Sequence, residues 1–287
     1  MNRSTQKGFT LVELVVVIVL STIVVSFMAM FIGGPVRAYT DQARRSELVD
    51  LADGALRRIA RDVRRALPNS VRVTTSGSVV ALEMLNTVDG VRYREQPPPA
   101  DPDKQLDFAA PDSAFNSVGT FTRVSKPFSS TSHYLSVYNV GVTGADAYEL
   151  ANVITPPGTQ IDIDADATPG EDNVVISPAF QFAYGSPAQR IFLLDGPLTY
   201  LCDLAAGTLT RYSGYSISPV HAARDSAAEL IGAGAADTLV SGKIAACNIA
   251  YAPGTSQRAG LVSLQLGISD AGEAISLLHQ IHVNNVP

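Results

Sequence analysis

The first pattern along the chain is an almost continuous apolar run over residues 9–32, 24 positions long. As an α-helix it would measure about 36 Å, which is enough to cross a bilayer core of about 30 Å. Arg3 and Lys7 precede the run without an acidic residue, so the positive-inside rule predicts a cytoplasmic N-terminus, although Arg37 beyond the run reduces the asymmetry. We predict a transmembrane helix over residues 9–34.

A second helical pattern follows over residues 35–68. Gly-Gly-Pro at 33–35 lowers helix stability and removes a backbone donor, so we expect an interruption there, as a kink or a locally melted hinge. Beyond it, apolar residues recur at three- and four-residue spacing and predict one buried face. They are Leu48, Leu51, Ala52, Ala55, Ile59, Val63 and Leu67. Pro68 is expected to end the helix.

Arginines are concentrated on this second helix. Residues 35–67 hold eight Arg against five acids, and five of the arginines fall mostly off the apolar face: Arg57, Arg58, Arg61, Arg64 and Arg65. The spacing allows the i,i+4 pairs Asp41–Arg45, Asp53–Arg57 and Arg58–Asp62. The arginines form either a solvated helix face or an electrostatic contact with acidic neighbours.

After Pro68 the pattern alternates with period two, which is typical of strands. We predict strands at 71–74, 78–85 and 91–94, with hairpin turns at Ser76-Gly77 and Asp89-Gly90, and a loop or linker over 97–119. Further strands are predicted at 134–140, 173–176, 181–184, 191–194, 198–203, 208–212, 244–251, 261–268 and 274–283, and residues 222–236 form a short helix or a loop. The predicted fold class is α+β. One long N-terminal helix, its first half transmembrane, packs on an antiparallel β-sheet domain (residues 69–287) with a second β portion.

Composition and motifs argue against several functions. The net charge of −6 gives no support for nucleic-acid binding, which needs surplus Lys and Arg. His279 and His282 stand three apart in a predicted strand and therefore point to opposite faces, and no hydrolase or P-loop motif occurs. We therefore predict no enzyme activity, no catalytic residue, no metal site and no cofactor.

The densest acidic run offers oxygen atoms that would suit Ca²⁺. Its members are Asp162, Asp164, Asp166, Glu171 and Asp172. An EF-hand interpretation fails, because Ala167 stands where glycine is needed and Asn173 where the bidentate glutamate belongs. A strand or a solvated loop is the favoured interpretation, and calcium binding stays open.

Glu13 is the feature that a plain membrane anchor or an ordinary secretory signal does not explain. A carboxylate inside an apolar helix costs roughly 2.5 kcal/mol or more in lipid and usually marks function. The helix itself contains no positive partner, so we expect the partner to come from another chain.

Residues 7–14, Lys-Gly-Phe-Thr-Leu-Val-Glu-Leu, resemble the class III signal of type IV prepilins and pseudopilins. The resemblance implies that residues 1–8 are a leader peptide, which a prepilin peptidase removes between Gly8 and Phe9. It also implies N-methylation of Phe9, an assembly role for Glu13, and incorporation beside other major and minor pilin subunits. The chain would be a single-pass inner-membrane protein with a periplasmic C-terminal domain.

Several later blocks are similar to one minor-pilin family, the MshO-like proteins of mannose-sensitive haemagglutinin (MSHA) pilus biogenesis. The blocks are residues 57–62, 66–72, 144–148, 192–194, 200–202 and 277–287. The resemblance implies a minor subunit needed to build an MSHA-type pilus. The alternative is a J-type minor pseudopilin of a type II secretion system.

Cys202 and Cys247 are the two cysteines of the chain. An even number in an exported domain predicts one disulfide, whereas the same pair in a cytosolic protein would be two thiols. Because the N-terminus predicts export, we predict a Cys202–Cys247 disulfide, with two buried thiols as the alternative.

Overall fold

A helix of 53 residues, α1 (Leu11–Val63), leads into the rest of the chain in this computed structural model, which describes residues 8–98, 101, 104–254 and 259–285. The helix is continuous through Pro35, so the locally melted hinge expected at residues 33–35 is wrong, and the kink stays a prediction. A proline removes one backbone N–H, and the hydrogen bonds of the other turns carry the helix past it.

Only the C-terminal part of α1 packs against the rest of the protein. From Leu11 to Glu47 the described side chains are exposed, apart from a half-buried Arg44, and Leu48 is the first buried residue. Leu51 was expected in the buried face, and it is 37% exposed. Successive residues of a helix are rotated by 100°, which places Leu51 about 100° around the helix from the centre of the buried face. Leu56 belongs to the buried face instead.

The helix ends at Val63, four residues before the predicted end at Leu67. Ala66 already pairs with Asn86 as an isolated β-bridge, and the Leu67 N–H donates to the carbonyl of Leu85 at 2.8 Å. The last predicted helical turn is therefore the first contact of the chain with the sheet, because these backbone groups find partners in a strand.

Thirteen strands and one further helix occur in the described residues. The strands are β1 (Arg72–Ser76), β2 (Val79–Tyr93), β3 (Asp112–Val118), β4 (Phe128–Ser130), β5 (Tyr134–Ser136), β6 (Gln160–Ala165), β7 (Asp172–Phe180), β8 (Arg190–Asp203), β9 (Thr208–Ser213), β10 (Ala236–Ser241), β11 (Ile244–Ala252), β12 (Gly260–Asp270) and β13 (Glu273–Val283). The second helix, α2, is Ala227–Gly232 and falls in the segment predicted as a short helix or a loop.

The strands form two antiparallel sheets. The larger one has the order β10-β9-β8-β2-β3-β7-β6-β4, with β1 also paired to β2 and β5 to β8, and the smaller one has the order β11-β12-β13. The predicted class is confirmed: a long N-terminal helix precedes a mainly antiparallel β domain, and a second, separate sheet accompanies the first.

Strands β2 and β8 are longer than predicted and form the centre of the large sheet. The hairpin turn expected at Asp89-Gly90 is wrong, because both residues lie inside β2 and pair with β8. The register between the two strands shifts between Asn86 and Asp89, so the irregularity is a bulge and not a turn. The predicted segments 191–194 and 198–203 are likewise one strand, whereas the Ser76-Gly77 turn is confirmed between β1 and β2.

Smaller differences concern the loops. The segment 97–119 was expected to lack regular structure, yet it contains β3, which pairs with β7. The strand expected at 181–184 is absent from the described residues, and β7 instead runs on to Phe180. The strands β4 and β10 were not predicted, because short or exposed strands leave a weak alternation in the sequence.

The main hydrophobic core joins α1 to both sheets. Buried residues of α1 pack with those of β2, β8 and β9 on the large sheet and of β11, β12 and β13 on the small one. A second cluster fills the other half of the large sheet, around β3, β6 and β7. The packed end of the helix is therefore held rigidly between two sheets, and its N-terminal part extends away from them.

Candidate functional site

The N-terminal end of α1 holds the residues that the sequence marks for processing. Phe9 is 77% exposed, and an added Cβ at Gly8 would meet no atom within 4 Å. The peptide bond between them is therefore free of contacts with the folded domain. Residues 1–7, which carry most of the predicted leader, lie outside the described part of the chain.

Glu13 has a partner in its own chain, which the sequence analysis did not foresee. Its Oε2 accepts hydrogen bonds from the backbone N–H and the hydroxyl of Thr10, both at 3.1 Å, and its own N–H donates to Thr10 Oγ1 at 3.3 Å. This is a capping box at the start of α1, with Thr10 as N-cap and Glu13 as the third helical residue. The Thr-x-x-Glu spacing could have revealed it.

The capping box satisfies hydrogen bonds without neutralising the charge. Among the described residues Glu13 forms no salt bridge, and the favourable helix dipole at this position supplies only a partial positive charge. The carboxylate thus remains available to a cation from outside the chain.

The apolar run behind Glu13 is exposed at every position whose burial the structure describes. In the described residues, α1 is the one helix long and apolar enough to cross a membrane, and none of its most apolar window is buried. Such a surface is stable only in lipid or against other apolar helices. It fits a single-pass membrane anchor.

The predicted ion pairs on α1 form only in part. Arg57 Nε lies 2.7 Å from Asp53 Oδ2, as predicted, and Asp41 contacts Arg44 at 3.5 Å instead of Arg45. The pair of Arg58 with Asp62 is wrong. Asp62 is buried and accepts hydrogen bonds from Tyr200 in β8 and from Arg211 in β9.

The acidic run is part strand and part ion-pair network. Asp162 and Asp164 lie in β6, which confirms the strand interpretation. Three cations from elsewhere contact the remaining acids, in the pairs Lys104–Asp166, Arg94–Glu171 and Lys126–Asp172. The described residues contain no group of three or more His, Cys, Asp or Glu side chains that could hold a metal ion.

Two carboxyl groups of this network titrate below their usual range. The hydrogen bond from the Thr168 N–H is the largest cause that lowers the pKa of Asp166, and the Lys104 ammonium lowers it further. The pKa of Glu171 is also lowered: burial opposes this, but hydrogen bonds from Asn116 and Arg94 outweigh it. Both acids are thus stabilised as carboxylates by groups of the protein itself.

Cys202 and Cys247 come together from β8 and β11, on different sheets. Both are unbonded thiols in this structure, Cys202 buried and Cys247 half-buried, and both belong to the main core. A hydrogen bond with Cys247 and burial raise the pKa of Cys202. The predicted disulfide stays a prediction, and the two side chains are already neighbours.

Comparison with known proteins bears on the N-terminus. Residues 3–29 match the family model described as the prokaryotic N-terminal methylation motif. No curated protein and no solved structure matches the chain. The motif supports a type IV pilin-like or pseudopilin-like protein, and it indicates a structural subunit. It implies processing by a prepilin peptidase and assembly with other pilins.

Proposed function

We propose that this chain is a minor pilin needed for assembly of an MSHA-type pilus, cut between Gly8 and Phe9 and inserted into the filament through α1. The observation that carries the proposal is the division of α1. Residues Leu11 to Glu47, 37 in number, contain no buried side chain among those described, and Glu47 at their end contacts Lys243 at 3.7 Å, while the helix from Leu48 onward is fixed in the core of the domain.

An unpacked helix of this length suits a subunit that moves from lipid into a filament. At 1.5 Å per residue the 37 residues extend about 55 Å from the domain. The first half requires lipid while the subunit is free, and neighbouring helices replace the lipid after assembly. The second half, including Tyr39 at 76% exposure and Val36 at 55%, offers further apolar surface to neighbours.

Processing gives Glu13 its partner. Removal of the leader creates a new amine on Phe9, which the same peptidase would methylate. The Phe9 amine of an adjacent subunit is then a positive charge at the level of the carboxylate, and pairing offsets part of the cost of holding Glu13 in an apolar surrounding. The capping box with Thr10 fixes the carboxylate at the helix end until that partner arrives.

The assignment to a minor MSHA subunit is supported by the later sequence blocks and by the β domain. Several blocks belong to elements that build the core: residues 57–62 lie in α1, 200–202 in β8, and most of 277–287 in β13. The alternative, a J-type minor pseudopilin of type II secretion, predicts the same helix and processing, so the discriminating evidence must come from the cell.

The decisive experiment has two parts. N-terminal sequencing of the protein extracted from membranes is expected to begin at methylated Phe9, and a start at Met1 or beyond Ile32 would contradict the proposal. Deletion of the gene is expected to abolish MSHA-type pili and leave secretion of type II substrates intact. The reverse pattern would establish the pseudopilin alternative.

A further inference from the structure

Four arginines line a cleft of about 280 Å³ where the end of α1 meets strands β2 and β8. They come from three distant segments of the chain: Arg64 and Arg65 from the helix end, Arg123 from the loop before β4, and Arg190 from the start of β8. Phe192 also lines the cleft beside Gly90, where an added Cβ would lie 2.9 Å from the phenyl ring. We call this the arginine cleft.

The positive charge of the arginine cleft is not neutralised within the described part of the chain. Asp89 is the acid that lines it, and its carboxylate is already engaged by three backbone N–H groups. Oδ1 accepts from Gly90 at 2.8 Å, and Oδ2 accepts from Thr122 at 2.6 Å and Arg123 at 2.8 Å. With four arginines against this one acid, the cleft carries a formal charge of +4 − 1 = +3.

The guanidinium groups themselves have unused donors. Arg65 gives one hydrogen bond, from Nη2 to the Thr87 carbonyl at 3.2 Å, and its buried Nε has no hydrogen-bond partner among the described residues. A buried donor without an acceptor is costly, and a charged one more so. An acceptor from outside the chain would relieve that cost.

A fifth arginine adds like charge at the rim. Arg92 in β2 stands directly opposite Arg190 in β8 in the antiparallel register, so both side chains project from the same face of the sheet. Like charges directly opposite each other in an antiparallel pair are unfavourable. Arg92 is exposed, so solvent screens part of the repulsion, and an anion bound beside Arg190 would relieve the rest.

The bilayer surface is too far away to supply that anion. Arg64 follows Ile32, near the end of the apolar run, by 32 residues, which corresponds to about 48 Å of helix. Electrostatic attraction decays over about 8 Å at physiological ionic strength. Lipid headgroups are thus excluded, and the anion belongs to a molecule beside the β domain.

We propose that the arginine cleft binds an acidic loop or tail of a neighbouring filament subunit. Guanidinium groups bind carboxylates through paired, parallel hydrogen bonds, and several arginines converging on a small cleft suit a few closely spaced Asp or Glu side chains. An extended nucleic acid fits less well, because the chain as a whole carries −6 and repels a polyanion outside the cleft. The identity of the partner as a filament subunit rests on the proposed function.

The test uses the full chain in detergent and a fluorescent hexaglutamate peptide as the probe, with binding followed by anisotropy at low salt. The double variant R64Q/R190Q removes two charges from the cleft. The matched control R57Q/R61Q removes two charges from exposed positions of the same helix outside the cleft. We expect the Kd of the peptide to rise at least tenfold in the first variant and at most about twofold in the second.

Three results would overturn the inference. They are equal weakening in both variants, absence of saturable hexaglutamate binding to the wild type, and tighter binding of a thymidine hexanucleotide or of inorganic phosphate than of the peptide. The second of these would show that the charge serves the domain itself. Near-UV circular dichroism of each variant verifies that the β domain is still folded.

A second measurement separates the cleft from the proposed function. Partner subunits are co-purified with wild type, R64Q/R190Q and R57Q/R61Q from solubilised membranes. Loss of partner subunits in R64Q/R190Q alone, with normal processing at Phe9, supports the proposal that the arginine cleft binds a neighbouring subunit. Normal partner recovery in the cleft variant refutes binding of a subunit by the arginine cleft and leaves the proposed function unaffected. An unprocessed wild-type chain refutes the proposed function, whatever the Kd measured for the hexaglutamate peptide.

Discussion

Asp62 on α1 accepts a hydrogen bond from the Tyr200 hydroxyl of β8, with 2.7 Å between Oδ2 and Oη. The same oxygen accepts from Arg211 Nε of β9 at 3.0 Å. Burial is the main cause that raises the pKa of Tyr200, and the negative charge of Asp62 raises it further. This polar contact inside the main core joins α1 to the large sheet of the β domain.

Tyr200→Phe is expected to destabilise the β domain by about 1–3 kcal/mol, because it removes one hydrogen bond from a buried carboxylate. The control is Asp53→Asn on the same helix, which breaks the exposed pair with Arg57 and is expected to cost at most about 0.5 kcal/mol. Urea unfolding of the full chain in detergent, followed by near-UV circular dichroism, measures both. Equal effects would show that Asp62 does not hold the helix to the sheet.

Glu83→Ala is expected to cost about 3 kcal/mol or more. Glu83 is fully buried in β2, and its carboxylate accepts from Arg72 at 2.6 Å and from Tyr215 at 2.8 Å. Removing it leaves the arginine without its partner in a largely buried position, and breaking such a pair costs more than the pair contributes. The double variant E83L/R72M is expected to recover part of the loss in the same unfolding experiment, and a double variant as unstable as the single one would contradict this.

Glu13→Ala is expected to leave the β domain unchanged and to block incorporation into filament complexes. The side chain contacts Thr10, and the first buried residue of the helix, Leu48, lies 35 positions further on. The melting temperature of the domain is therefore expected to stay within about 1 °C, while co-purification with partner subunits is lost.

Thr10→Ala is the matched control for that experiment. It removes the two hydrogen bonds of the Thr10 hydroxyl, worth about 1 kcal/mol at the helix end, and keeps the carboxylate and its hydrogen bond from the backbone N–H of residue 10. We expect this variant to retain partner subunits. Loss of partners in both variants would assign the effect to capping of the helix, and retention in both would remove the assembly role of Glu13.

Cys202 and Cys247 are expected to form a disulfide in protein isolated from the cell envelope. Their side chains are already in contact, and closing a loop of this length would stabilise the domain by about 4 kcal/mol in the chain-entropy model. Mass spectrometry after alkylation without reduction is expected to find neither cysteine alkylated. Two alkylated cysteines would establish a pair of buried thiols.

Low pH is expected to reduce the stability that Asp166 contributes through its contacts with Lys104 and Thr168. Because its pKa is lower in the folded protein than its ordinary value of 3.8, the carboxylate contributes stability above about pH 4, and this contribution is lost as the pH falls further. The melting temperatures of wild type and Asp166→Asn are therefore expected to differ at pH 7 and to draw closer as the pH falls below about 4. Asp164→Asn, at an exposed position without a salt bridge in the described residues, is the control and is expected to show no such convergence.

The sequence alone predicted those features that local pattern specifies. An apolar run of 24 residues needs no tertiary partner to be recognised, and the Glu13 signal lies within eight consecutive positions. The α+β class and the three C-terminal strands followed in the same way, since the side-chain alternation of β11, β12 and β13 is continuous over each strand. These features depend on neighbours a few residues apart, which a single sequence displays.

Tertiary structure decided the features whose partners are distant in the chain. Leu67 leaves the helix because Leu85 accepts its N–H, and Asp62 turns inward because Tyr200 and Arg211 lie above it. Asp89-Gly90 resembles a hairpin turn in sequence, yet β8 pairs alongside and keeps the strand extended.

The arginine cleft depends on tertiary structure in the same way. Arg64 and Arg190 are 126 positions apart in sequence, and no local pattern records that the fold places them around one cavity. Local periodicity reports which face of an element is apolar. Which polar groups then meet is determined by how the elements pack, because their hydrogen bonds and charges are satisfied across the fold and not along the chain.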